Sequence, residues 1–191
     1  MFISKNKYFL FIDDTGYFDF NLIKIRNKFN IILRDHKSKI KLKNLIKLRK
    51  NCMKKGVNFF VANNTKLLTE LKADGLYISA FNKELRLNRF KKKGYKIIGS
   101  AHNQEEIFLK KKQGCEEIIL SRLFETCYKE KKSYLGILKF NNISSKHNIN
   151  IVPLGGINNK TLHKLNLVRS SSFACLSAIK KKPANIINRL F

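Results

Sequence analysis

Short apolar runs alternate with longer amphipathic stretches from one end of the chain to the other. The apolar runs have the length of buried strands, and the stretches between them carry helical periodicity. The pattern predicts strands at Tyr8–Ile12, Asn30–Leu33, Asn58–Val61, Gly75–Ile78, Lys96–Ile98, Glu117–Leu120, Ile149–Leu154 and Ser172–Leu176. It predicts helices over Asn21–Phe29, Lys41–Lys55, Thr65–Lys72, Lys83–Phe90, Asn103–Lys112, from Leu135 through Phe140, over Asn159–Leu165 and over Ala178–Arg189. Several ends are marked. Gly56 follows Lys41–Lys55 as a C-terminal glycine should. Asn103 stands as an N-cap with Glu105 and Glu106 in the turn behind it.

Strand and helix in strict alternation argue for a parallel sheet, and eight such units argue for its closure into a barrel. An open doubly wound sheet would carry a G-x-G-x-x-G turn after its first strand, and none is present. At 191 residues each unit has about 24, so the expected fold is a compact (β/α)8 TIM barrel, one domain over residues 1–191.

Composition changes this picture little. The chain is 43% hydrophobic, with 15 Phe and no Trp, which is enough for a sizeable core. Its net charge of +27 would ordinarily point to nucleic acid. The lysines are spread over the chain, however, and no aromatic RNA-binding motif accompanies them. Small phosphorylated ligands suit the charge equally well. Cys52, Cys115, Cys127 and Cys175 show no C-x-x-C spacing and read as reduced thiols of a cytoplasmic protein. No apolar stretch approaches the ~18 residues of a membrane span.

In such a barrel the chemistry lies at the C-terminal ends of the strands. That rim reads Arg34 to Lys37, Asn63 and Asn64, Ser79 to Asn82, Ser100 and His102, Thr126 to Lys129, Gly155 and Gly156, and Ser177. Guanidinium, ammonium, amide and hydroxyl groups of this kind bind phosphate oxygens. Gly155–Gly156 ends an apolar run and precedes a polar segment, which is the sequence of a backbone phosphate site. Arg34 follows its strand directly and can grip a phosphate with two donors; the competing reading pairs it with Asp35 or another neighbour. Asp13 and Asp14 are the paired carboxylates at a strand end, read as metal ligands or as a turn.

The order of these motifs resembles the thiamine-phosphate synthase and TenI family. Arg34-Asp35-His36-Lys37 stands in place of the family's arginine motif after strand two. GVNFFVANN (56–64), ADGLYISAFN (73–82), GSAHN (99–103), FETCYK (124–129), LGGIN (154–158) and LSAI (176–179) follow in the family's order. The resemblance covers residues 30 to 180 and implies a (β/α)8 barrel that joins a pyrimidine diphosphate to a thiazole phosphate, releasing pyrophosphate. It implies that Arg34, Ser100 and Lys129 hold the pyrophosphate. It gives the thiazole phosphate to Thr126, Gly155, Gly156 and Ser177, with Lys37 as a further cation. It also implies Mg²⁺, but the family's two metal aspartates fall at Asn63 and Asn82, and neutral amides make the metal doubtful. TenI's catalytic histidine falls at Arg122. Three readings therefore stand: a synthase, a family member that binds thiazole or thiamine phosphate without joining it, and a basic nucleic-acid-associated protein. Oligomeric state is not legible.

Overall fold

The computed structural model describes residues 5–15, 20–23, 25–34, 40–126 and 133–176. Among them, eight strands close into one barrel in chain order, every pair parallel: β1 Lys7–Ile12, β2 Phe29–Leu33, β3 Asn58–Ala62, β4 Gly75–Ile78, β5 Lys96–Ala101, β6 Glu117–Ser121, β7 Asn150–Leu154 and β8 Ser172–Cys175. The α-helices between them are α1 Leu42–Lys55, α2 Thr65–Glu70, α3 Arg89–Lys92, α4 Gln104–Lys112 and α5 Gly136–Ser145. The expected closed (β/α)8 barrel is the observed one.

Strand side chains alternate between two apolar layers. One set fills the lumen: Phe9, Phe11, Ile32, Phe60, Tyr77, Ile98, Ile119, Val152 and Ala174 form a cluster of their own. The other set, including Tyr8, Ile31, Phe59, Ile97, Ile118 and Phe173, packs outward against Leu45, Leu48 and Cys52 of α1 and against Ile107 of α4 and Phe140 of α5. Because both faces are covered, the strands read as continuous apolar runs rather than as clean alternation. The N-terminal end of the barrel carries a polar network. Asn58 donates to Asn30 at 2.9 Å, and Asn150 donates to Glu117 at 2.7 Å and to Ser172 at 3.1 Å.

Helices anchored by local signals form where expected. α1 ends at Gly56, whose φ of 63° is the left-handed C-cap that glycine adopts without strain. α4 begins after Asn103, whose side chain accepts the Glu106 N–H at 2.9 Å.

Other expected helices are shorter or replaced. Among the described residues of the expected Asn21–Phe29 helix no α-helix forms; a 3-10 turn, Phe20–Leu22, stands at its start. Asn27 then takes φ 62° and donates its N–H to the Gly56 carbonyl, and Phe29 already belongs to β2. Lys83–Phe90 becomes a 3-10 segment, Leu85–Asn88, that runs into α3. Asn159–Leu165 gives way to a 3-10 helix, Leu162–Leu167. There the Asn158 side chain accepts from the Lys160 and Thr161 N–H groups, a local alternative that competes with an α-helix. The helix expected over Ala178–Arg189 lies outside the described residues. No helix among the described residues is long and apolar enough to cross a membrane.

Candidate functional site at the barrel mouth

A cavity of about 360 Å³ opens at the C-terminal end of the barrel. Its apolar lining comes from Phe11, Ala62, Tyr77, Leu154 and Leu176, and its polar lining from Arg34, Asn63, Ser79, Ser100, His102 and Ser121. No carboxylate belongs to this lining among the described residues. The position follows from strand geometry: the lining residues continue the inward series past the last filled layer of the lumen.

Arg34 enters the cavity from the end of β2. Asp35 lies outside the described residues. The Arg34 Nη2 lies 2.8 Å from Asp13 Oδ1, and its Nε donates to the same oxygen at 2.9 Å. Asp13, at the end of β1, is therefore the acid that orients this guanidinium, a role the sequence left open. The guanidinium also lies over the Phe11 ring, 5.2 Å from its centroid.

Ser100 is buried, and its Oγ accepts the Tyr77 hydroxyl at 2.8 Å. Burial pushes the Tyr77 phenol above its ordinary value, so it stays a donor. Ser100 keeps its own O–H for a ligand oxygen. His102 follows on the same side. Its Nδ1 lies 2.8 Å from Ser121 Oγ, while its backbone N–H donates to Glu106 Oε2 at 2.7 Å. Tyr77 and Ser121 were missed as rim residues in the sequence. The period-two count along β4 and β6, continued past the apolar core, is the signal that would have found them.

The second group of predicted residues is brought together by the loop after β6. The Leu123 N–H donates to the Leu154 carbonyl at 2.9 Å, and the Phe124 N–H to the Gly155 carbonyl at 3.0 Å. Thr126 thereby comes to the Gly155–Gly156 side of the mouth. Arg122 ties this corner, donating from Nη1 to Thr126 Oγ1 at 2.6 Å and from Nη2 to the Ser133 carbonyl at 2.6 Å. Gly156 has φ 68°, and a Cβ there would strike the Glu125 carbonyl, so the close approach requires glycine. Lys37, Lys129 and Ser177 lie outside the described residues.

Asn63 and Asn82 do meet. Asn63, at φ 56°, accepts at Oδ1 from the Ser79 N–H at 3.1 Å and from Asn82 Nδ2 at 3.2 Å. Its Nδ2 donates to Ser79 Oγ at 2.8 Å, and Asn82 Oδ1 accepts the Glu84 N–H at 2.9 Å. Both amide oxygens are engaged by N–H donors, and neither residue carries charge. Among the described residues no group of three or more His, Cys, Asp or Glu is placed to hold a metal. This pair does not fit the donor set that Mg²⁺ demands.

Beneath it, Lys110 of α4 is fully buried. Its Nζ donates to the Asn82 carbonyl at 2.7 Å and to Gln113 Oε1 at 2.9 Å. Gln113 Nε2 adds bonds to the Asn82 and Glu84 carbonyls at 3.0 and 3.1 Å. The loop after β4 is thus held from below. Cys52, Cys115 and Cys175 are free, buried thiols, each pushed up to about 12 by burial, and are not part of the mouth. Cys127 is outside the described residues.

Comparison with known proteins adds to the geometry. Residues 18–179 match the family described as thiamine monophosphate synthase, TMP-TENI. The chain is 30% identical over 186 residues to a thiamine-phosphate synthase of Prochlorococcus marinus subsp. pastoris, covering 93% of this chain and 52% of that one. It is 28% identical over 141 residues to a thiamine-phosphate synthase of Clostridioides difficile, covering 73% of this chain and 67% of that one. The chain therefore spans about half the length of its Prochlorococcus relative. In structure it is similar to a thiamine phosphate pyrophosphorylase from Pyrococcus furiosus, with a TM-score of 0.76 at 17% identity over 98% of this chain and 94% of that one. A 3-keto-L-gulonate-6-phosphate decarboxylase from Vibrio cholerae shares the fold at a TM-score of 0.64 and 14% identity, over 98% of this chain and 96% of that one.

Proposed function

We propose that this chain, which belongs to the thiamine monophosphate synthase family, joins a pyrimidine diphosphate to a thiazole phosphate in thiamine biosynthesis. In that reaction the bond from the pyrimidine's methylene carbon to the diphosphate oxygen breaks, and its electron pair leaves with pyrophosphate. The thiazole nitrogen supplies the pair that forms the new C–N bond.

The observation that carries this reading is the Arg34 guanidinium, held by Asp13 at the cavity that the buried Ser100 also lines. Thr126 and the Gly155–Gly156 turn follow β6 and β7, on the side of the barrel next to Ser100 on β5. Arg34, oriented by Asp13, and Ser100, oriented by Tyr77, take the diphosphate, with Lys129 and Lys37 as further cations. Fixed donors of this kind stabilise the charge that grows on the leaving oxygens. Thr126, the Gly155 and Gly156 backbone and Ser177 take the thiazole phosphate, and Arg122 adds charge there. Phe11 and Tyr77, whose rings stand 5.3 Å apart and edge to face, supply the apolar floor for the two heterocycles between. His102, hydrogen-bonded to Ser121, adds two polar groups to the same cavity. A reducing, cytoplasmic setting agrees with the three free thiols, and residues 1–191 act as one barrel domain.

Pyrophosphate release from the purified protein given both substrates tests this. Release should require both substrates, and Arg34→Ala should lower kcat/KM by about a hundredfold, the scale of losing one charged donor to a developing anion. No release above the level of Arg34→Ala would overturn it.

A further inference from the structure

We propose that this barrel takes its diphosphate ligand without a divalent cation, the hydrogen-bonded Asn63–Asn82 pair standing in place of a metal and its two carboxylates. This rests on the reading above that the mouth binds a diphosphate.

Charge decides the first step. Two carboxylates and one dication sum to zero, and so do two amides. Exchanging one set for the other leaves the net charge that a diphosphate meets unchanged. Two carboxylates without a metal would repel the ligand; two amides do not.

Geometry decides the second. The Asn63 and Asn82 oxygens already accept from Ser79, Asn82 and Glu84 N–H groups. Both lone pairs of Asn63 Oδ1 are taken, so a metal would have to break those bonds to bind there, and the lone pair left on Asn82 Oδ1 is a single neutral donor. Each Nδ2 group carries two hydrogens. Asn63 lines the cavity and has spent one of them on Ser79, so the other can donate to a phosphate oxygen directly.

The third step is the charge below. The Lys110 ammonium sits on the carbonyl of Asn82 itself, and none of the salt bridges among the described residues pairs it with a carboxylate. Burial lowers its pKa to about 8, and the nearby Glu106 carboxylate favours its charged form. The ammonium remains protonated at neutral pH. A fixed cation there disfavours a dication and favours an anion.

Calorimetry with inorganic pyrophosphate as the probe tests the proposal, run in EDTA and in excess Mg²⁺, with the Mg²⁺–pyrophosphate equilibrium in solution subtracted. The wild-type Kd should be the same in both within about twofold, below half a kcal/mol. The Asn63→Asp/Asn82→Asp double variant should bind at least about tenfold more weakly in EDTA and recover in Mg²⁺, as two uncompensated charges require. Wild-type binding that needs Mg²⁺, or that tightens about tenfold with it, would overturn the proposal. So would no binding in EDTA. The synthase reading fails separately. Pyrophosphate release seen only with Mg²⁺ would leave that reading intact and remove this one. Metal-free pyrophosphate binding with no release from the two substrates would do the reverse.

Discussion

Replacing Lys110 by Met should change how stability depends on pH, with a sign and size set by the structure. Lys110 is fully buried; its stem crosses Gly99, and its ammonium meets two neutral acceptors, the Asn82 carbonyl and Gln113 Oε1. Burial pushes its pKa from the ordinary 10.5 down to about 8. The unfolded chain therefore holds this proton more tightly than the folded one between about pH 8 and 10.5. Stability from this group rises with pH across that window and is at its lowest below it. The gap corresponds to a penalty of about 3 kcal/mol at pH 7 that is largely relieved by pH 10.5. Lys110→Met removes the titration and keeps most of the buried stem. Urea unfolding of both proteins from pH 6.5 to 10.5 reads the difference, and the titration of tyrosines and cysteines common to both cancels. Wild type should gain about 3 kcal/mol on the variant over that range. Two curves that stay parallel within about 0.5 kcal/mol would refute the idea that a buried ammonium braces the loop after β4.

Two further outcomes follow from other parts of the molecule. Asp74 holds Arg49 through both oxygens, at 2.7 and 2.9 Å, and also accepts the Phe59 N–H at 2.7 Å. Arg49 Nε is already buried without a partner, so Asp74→Asn leaves a half-buried guanidinium poorly matched; a loss of about 1–3 kcal/mol is expected in thermal unfolding, and no loss would mean the pair is ornamental. Arg122→Ala should raise KM for the thiazole phosphate about tenfold or more while leaving KM for the pyrimidine diphosphate within about twofold; equal effects on both would place Arg122 in the frame of the mouth rather than at one phosphate.

The alternation of apolar and polar residues was enough to reveal a (β/α)8 barrel, because strand period and helix period are local properties of the chain. Gly56 and Asn103 marked their helix ends for the same reason: a left-handed cap and a side-chain cap need only neighbouring residues. The family resemblance lay in motif order, and of the residues it singled out Arg34 and Ser100 line the mouth cavity, while Thr126, Gly155 and Gly156 stand on the loops after β6 and β7. The helix of Asn21–Phe29 was misread because Asn27 answers to Gly56, a residue far along the chain, and not to its neighbours.

Partnerships were decided only when the barrel closed. Arg34 takes Asp13 from the adjacent strand end, Tyr77 reaches Ser100 and Ser121 reaches His102, each across a strand boundary that sequence distance conceals. In the sequence Lys110 is the first of three consecutive lysines, Lys110 to Lys112. Only the packing of α4 on β5, with Gly99 leaving room for its stem, turned it inward beneath Asn82. A side chain's type is written in the sequence. Whether it faces water, a ligand or a buried carbonyl depends on which distant backbone packs beside it, and that is a property of the closed fold.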